Sequence, residues 1–454
     1  MNIAHRIMRL SLIAALILTS APAFGQGKKS GPKTGTIKVN FQDVRLKNGL
    51  RVMLVEDHSA PVVSVAFTFD VGSRNEREGR TGFAHLFEHM MFAGSENVGK
   101  NEYSLLIDTN GGRNNATTDE DRTLYFATVP ANQLEMILFI EADRIRALDV
   151  TKGELDIQRN AVQEERRLGV DNQPYGRMQE MFNEKVYDNF AYKHSVIGSM
   201  EDLNAASLED VTAFFRTYYA PNNAAMALVG DFNSARAMAL IRKYFEGIPS
   251  QPAPPKVDVT EPEQTAERRF TVNDPLARLP LIAMAYKGII ANTPDAYAMQ
   301  VLSNVLSTGQ SSRLYQKLVK EKELAAQIFG GPSLNRGTGY FQIQALAAPG
   351  KSVEEIEAAI GEELERLKKE PIADWELEKA KNFSRRSSIQ RLQNSLGVAF
   401  QLTENAIAFN DPGLINTQFA KLAAVTKEDV RRVANKYFKT AVRTVGITMP
   451  ETKK

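Results

Sequence analysis

The feature that most constrains the fold is a repeat within the chain. Residues 208–219 (LEDVTAFFRTYY) lead into 224–230 (AAMALVG), and residues 427–438 (KEDVRRVANKYF) lead into 442–448 (VRTVGIT). Each is an amphipathic helix opened by acidic residues, a short turn and an apolar strand. Asp210 and Asp429, which hold equivalent places, are 219 residues apart, about half the chain. Between the copies, residues 248–267 (IPSQPAPPKVDVTEPEQTAE) carry five prolines and no amphipathic period, which reads as an extended linker. Two homologous domains follow, 37–247 and 268–450. Strands are expected at 51–55, 62–70, 123–128 and 280–286. Helices are expected at 82–93, 103–110, 132–147, 152–168, 293–306, 353–369 and 374–394. Tightly joined strands with helices in runs predict an α+β fold of two α/β rolls, each an antiparallel-rich sheet covered by helices.

The first 25 residues read as a signal peptide. Arg6 and Arg9 precede the apolar run Leu10–Leu18, and small residues follow at Ala21, Ala23 and Gly25. That run is too short for a membrane span, which takes about 20 apolar residues, and no other segment of the chain reads as one. Cleavage after Ala23 or Gly25 predicts a protein outside the cytoplasm, in the periplasm of a Gram-negative bacterium. Residues 26–36 are polar and Gly-rich and are expected to be disordered. Without Arg6 and Arg9, the 56 Lys and Arg fall into balance with the 54 acids. That balance argues against a nucleic-acid partner, which calls for a basic surface. The absence of Cys excludes disulfides, thiolate metal sites, iron–sulfur clusters and a Cys nucleophile. Any metal site must therefore use His and carboxylates, and the mature chain keeps only His58, His85, His89 and His194.

Two of these four lie in Thr81–Phe92 (TGFAHLFEHMMF), as His85 and His89 with Glu88 beside them. On a helix the three share an arc of about 100°, so both imidazoles can grip one cation with the carboxylate alongside. The pattern H-x-x-E-H is the inverted zincin motif. Two His and a carboxylate suit one Zn²⁺, which takes a third protein ligand and keeps a position for water. Zinc brings the pKa of that water to about 7, and Glu88, not itself a ligand, is placed to take its proton as general base. The alternative is a core helix with two satisfied histidines, but then each buried polar group would need its own partner. A third ligand is expected from Ala161-Val-Gln-Glu164-Glu165. The two carboxylates point about 100° apart, and periodicity does not choose between them.

The runs TGFAHLFEHMMFAGS, GGRNNATTDEDRTLYF and QRNAVQEERR resemble the pitrilysin family of inverted-zincin metallopeptidases, which includes insulysin and the mitochondrial processing peptidase. The resemblance covers nearly all of the mature chain and implies a half-size member built of two rolls. It implies Glu165 as the third ligand, since the family's ligand follows the second His by about this distance and Glu165 is 76 residues after His89. Where relatives often carry a supporting Glu seven residues earlier, this chain has Gln158, whose amide oxygen can still hydrogen-bond a ligand His but brings no charge. The resemblance also implies that Asn115 and Ala116 hold substrate backbone by strand addition. In many relatives the second half supplies an Arg-x6-Tyr pair to the active site, the Tyr stabilising the oxyanion. Here those positions fall on Val319 and Ala326, and the nearby Arg313 and Tyr315 have the wrong spacing. The expectation is a heterodimer with a homologous subunit that lacks H-x-x-E-H and carries the pair, closed around peptide substrates.

Elsewhere, His58 is expected to be solvated in a polar turn and His194 to lie in a surface loop. The segment 362–369 (EELERLKK) reads as a charged helix face. The function expected is a zinc metalloendopeptidase cleaving unfolded peptides. A non-catalytic zinc-binding assembly subunit is the alternative. A zinc carrier would show His-rich tracts, and this chain has none.

Overall fold

The structure, a computed structural model, describes residues 38–451. The expected signal peptide and residues 26–36 lie outside the described residues. Six strands form the first sheet: β1 (Gln42–Arg45), β2 (Arg51–Glu56), β3 (Val62–Phe69), β4 (Arg113–Thr118), β5 (Thr123–Pro130) and β6 (Ala224–Gly230), in the order β1-β2-β6-β3-β5-β4. Five strands form the second: β7 (Arg268–Asp274), β8 (Leu281–Ile290), β9 (Ala325–Ser333), β10 (Thr338–Ala347) and β11 (Thr444–Pro450), in the order β7-β11-β8-β10-β9. The series β2-β6-β3-β5-β4 and β7-β11-β8-β10-β9 correspond strand for strand. In each, the one parallel pair sits at the same end, β2 with β6 and β7 with β11. The repeated helices, Leu208–Tyr218 and Lys427–Tyr437, precede the equivalent strands β6 and β11. Duplication is therefore written in the topology as well as in the sequence.

Alternation along β3 places the core. Val63, Val65, Phe67 and Phe69 face one side of the sheet, and Ala66 faces the other. The first side carries the helices α1 (Phe83–Met90), α2 (Glu102–Thr109) and α3 (Leu134–Ala147). A fourth helix, α4 (Lys152–Arg166), packs Leu155 and Val162 into the same core. The opposite side is covered by the helix Ser395–Phe409, which comes from beyond the linker and packs Val398, Ala399, Leu402 and Ala406 against Met53, Ala66, Ala225 and Val229. Both faces of the central strands are thus buried, which is why β6 reads as an unbroken apolar run and β3 is broken only by Ser64 and Thr68.

The expected elements are present with shifted ends. The helix expected at 82–93 spans Phe83–Met90, because Gly82 takes a left-handed φ of 82° before it. The helix expected to reach 168 stops at Arg166 and widens into a π-type turn over Arg167–Asp171. The strand expected at 280–286 continues to Ile290. Residues 250–265 form no helix or strand, yet they are tied down. The Glu261 carboxylate accepts from the amides of Asp188 and Asn189 and from Lys287 Nζ, and Gln264 Nε2 donates to the Arg443 carbonyl. No helix among the described residues is long and apolar enough to cross a membrane.

Candidate metal centre

Leu86, Phe87 and Met90 are buried in the first core and set the roll of α1 about its axis. His85, Glu88 and His89 are then turned toward α4 and β4 rather than into the core. On α4, the buried Leu155 and Val162 fix the roll in the same way, and Glu165 lies three residues beyond Val162. Its Oε2 is 3.6 Å from His85 Nε2 and 3.3 Å from His89 Nε2. Glu164 turns away and pairs with Arg167 at 3.0 Å. One ligand atom from each of His85, His89 and Glu165 can be chosen so that all lie within 4.8 Å of one another.

The donor set fits a tetrahedral metal. Bonds of about 2.0–2.1 Å to nitrogen and oxygen place neighbouring ligand atoms about 3.4 Å apart, close to the two spacings found. Burial, with the neighbouring His89 adding to it and Glu165 opposing, brings the His85 pKa down to about 4. Burial also lowers the pKa of His89. Both rings are therefore neutral near pH 7, the form that ligates a metal. The Nδ1 atom of His85 is buried and has no hydrogen-bond partner among the described residues. Gln158 stands beside His89 and favours its protonated form, so the neutral amide does reach the site.

Glu88 is not among the three converging groups. Burial raises its pKa and the negative Glu165 adds to that, while a hydrogen bond from Thr118 and the charge of Arg122 pull the other way. The Thr118 hydroxyl donates to Glu88 Oε2 at 2.5 Å, and the other carboxylate oxygen has no hydrogen-bond partner among the described residues. Thr118 lies outside the H-x-x-E-H motif, and the one trace of it in the sequence is the period of two along β4, which puts Asn114, Ala116 and Thr118 on one face. Asn115 and Ala116 lie on β4 itself, which among the described residues pairs only with β5 and forms the edge of the sheet. The Ala116 amide donates to Asn115 Oδ1 at 2.9 Å. A cavity of about 340 Å³ opens beside Glu165, lined also by Glu120, Gly176, Asn183 and Ile197.

In the second half, Arg313 is drawn inward by Glu376 at 2.6 and 2.7 Å and by Glu363 at 3.1 Å. Glu363 is accordingly buried, so the 362–369 segment is not a wholly solvated face. Val319 packs against the second core, and Ala326 is exposed on β9. His58 is exposed as expected, held between Asp231 and Glu56. His194 departs from expectation. Its side chain is only 10% exposed and pairs with the fully buried Glu76, a partner 118 residues away that local sequence does not reveal.

The chain has relatives among known proteins. Residues 51–199 match the family described as insulinase (peptidase family M16), and residues 205–383 match the peptidase M16 inactive domain. The zinc protease PqqE of Helicobacter pylori is 31% identical over 447 residues, covering 98% of this chain and 99% of that protein. The probable mitochondrial-processing peptidase subunit beta of Arabidopsis thaliana is 23% identical over 402 residues, or 86% of this chain and 75% of that one. Among solved structures, a protease from Helicobacter pylori aligns with a TM-score of 0.87 at 32% identity, over 90% of this chain and 99% of its own. The periplasmic protease PqqL from Escherichia coli shares the fold, with a TM-score of 0.73 at 19% identity over 91% of this chain and 48% of that one. By motif, fold and relatives, the chain belongs to peptidase family M16.

Proposed function

We propose that this protein is a periplasmic zinc metalloendopeptidase that hydrolyses unfolded peptides. The observation that carries the reading is the convergence of His85, His89 and Glu165 beside a half-buried carboxylate, Glu88, that is not one of the three. Zinc held by those residues supplies Lewis acidity and an acidified water. Glu88 takes the proton of the attacking water on its free oxygen and returns it to the departing amine. Thr118 holds the other oxygen still during both transfers. An extended substrate adds to the open edge of β4 at Asn115 and Ala116, which lays its backbone alongside the strand that carries Thr118. Gln158 orients His89. Secretion through residues 1–25 fits a relative in fold that is itself named a periplasmic protease.

The test is metal analysis of the purified chain together with cleavage of a quenched unfolded peptide, before and after chelation and after zinc is restored. About one zinc per chain, activity lost to the chelator and activity recovered with zinc are expected. Cleavage that persists in the metal-free chain would overturn the reading.

A second reading has an observation of its own. The side chains at Val319 and Ala326 cannot bind substrate or stabilise an oxyanion, and Arg313 is engaged elsewhere. A non-catalytic zinc-binding assembly subunit would bind zinc and cleave nothing, alone or with a homologue.

A further inference from the structure

The helix that carries both histidines has no cap of its own. Gly82 stands at its N-cap without a side chain to offer, so the first amides of α1 need acceptors from elsewhere. They find Glu76, whose two oxygens lie 2.9 Å from the Gly82 amide and 2.7 Å from the Ala84 amide. The same carboxylate meets His194 Nε2 at 2.9 Å. Nε2 also faces the Ser73 carbonyl at 3.0 Å, and Nδ1 faces the Phe190 carbonyl at 2.9 Å. Carbonyl and carboxylate oxygens only accept, so both ring nitrogens must carry hydrogen and His194 is an imidazolium. Burial raises the Glu76 pKa, but every partner around it is a donor, two backbone amides and the imidazolium, so the ionised carboxylate is the form that fits this geometry. Burial works against a charged ring. The Glu76 carboxylate and the two carbonyls outweigh it and hold the His194 pKa above its ordinary value, and Glu120 is a further acidic group near enough to feel the ring's charge.

The chain that follows His194 touches both metal-bearing helices. Gly198, at φ 75°, lies against Gly82 so closely that a Cβ there would fall 2.5 Å from the Gly82 backbone. Its carbonyl accepts from Arg166 Nη1 at 2.7 Å, on the residue after Glu165. Thr81, just ahead of α1, gives its amide and hydroxyl hydrogens to Asp202 at 3.0 and 2.5 Å. Arg159 of α4 donates to the carbonyls of Leu203 and Ala206 at 2.9 and 2.5 Å.

We propose that residues 194–206, anchored through the His194–Glu76 ion pair, form a positioning strap that holds α1 against α4 at the spacing where His85, His89 and Glu165 share one metal. The inference rests on the metal reading above. None of the strap's residues is a ligand; they act through Thr81 and the Gly82 backbone at the head of α1 and through the Arg159 and Arg166 side chains of α4.

The probe is Co²⁺ added to the full metal-free chain, read by its visible absorption and by competition with a chelator. Three variants are compared, His194→Gln, Gly198→Ala and, as control, Tyr192→Phe, with a thermal melt of each. Tyr192 lies just before the strap, and its hydroxyl serves Asp121 and the Gly337 amide rather than either helix. His194→Gln and Gly198→Ala should weaken Co²⁺ binding by about 10-fold or more, in the range seen when groups behind metal ligands are lost, and should shift the absorption band. Tyr192→Phe should melt lower and bind Co²⁺ as the wild type does. Imidazole ¹⁵N spectra at pH 7 should show His194 protonated on both nitrogens, and Glu76→Gln should abolish that signature. Unchanged binding in the first two variants, equal weakening in Tyr192→Phe, or a neutral His194 would overturn the strap while leaving the metal reading intact. A wild-type chain that bound no Co²⁺ would remove the metal reading and the strap with it.

Discussion

Glu88 sits in surroundings suited to the work assigned to it. Burial lifts its pKa toward the range of a useful base, and the Thr118 hydroxyl fixes its orientation. Glu88→Gln keeps an oxygen for that hydroxyl and removes only the capacity to carry a proton. The variant should retain its zinc and lose about 10²- to 10⁴-fold in kcat, checked by metal analysis beside steady-state cleavage; wild-type turnover would remove Glu88 from the mechanism. His194 gives a pH dependence. A folded-state pKa raised above the unfolded value of about 6.5 means that the stabilisation is complete below that pH and is lost as pH rises through the folded value. The melting temperature of His194→Gln should therefore trail the wild type more at pH 6 than at pH 9. A gap that widened toward pH 9 would mean that the ring is neutral in the fold. These two residues differ in how far the sequence reveals them. His85, Glu88 and His89 are legible because their contact is set within one helical turn. His194 is not, since Glu76 and Ser73 reach it only through the fold, and the choice between Glu164 and Glu165 likewise depends on which side of α4 meets α1.

At the level of elements, the edge of the first sheet carries the substrate argument. The Asp119 amide donates to the Arg122 carbonyl, and the register runs back from that pair. Antiparallel pairing alternates, so 113, 115 and 117 bond to β5, while the backbone groups of 114, 116 and 118 face the open edge. The Ala116 amide, which bonds to the Asn115 side chain, is one of these. A bound peptide would take over that donor with one of its own carbonyls. Ala116→Pro removes the donor at a position that β5 does not use, where proline is tolerated. It should raise KM by several-fold and change kcat less, with circular dichroism confirming the fold. An unchanged KM would mean that the peptide binds elsewhere. The run GGRNNATT shows little apolar alternation, so β4 reads as a substrate strand only through resemblance. That it lies at an edge depends on how the strands are ordered, which no local pattern encodes.

For the whole molecule, the repeat and the proline-rich connector reveal two halves, but not how firmly they are joined. The helix Ser395–Phe409 belongs to the second half in sequence and to the outer face of the first sheet in space. Its apolar face is plain in the sequence; its partner is not. Leu402 is fully buried in that contact, so Leu402→Ala should cost about 2–5 kcal/mol. Calorimetry should show one shifted transition rather than a first half left standing alone. This union bears on activity, because each chain then presents its second half in one fixed arrangement. In that arrangement Arg313 is held by Glu376 and Glu363, Val319 packs against the core, and Ala326 offers only a methyl group. The chain alone should therefore bind zinc and cleave slowly. A homologous subunit without H-x-x-E-H but with the Arg-x6-Tyr pair should form a one-to-one complex with it and raise kcat by about 10²-fold, the scale of a restored oxyanion donor. Replacing that Tyr by Phe in the homologue should return kcat to the lone-chain value while the complex still forms in sedimentation. Full activity from the lone chain would place the missing groups within its own residues and remove the need for a partner.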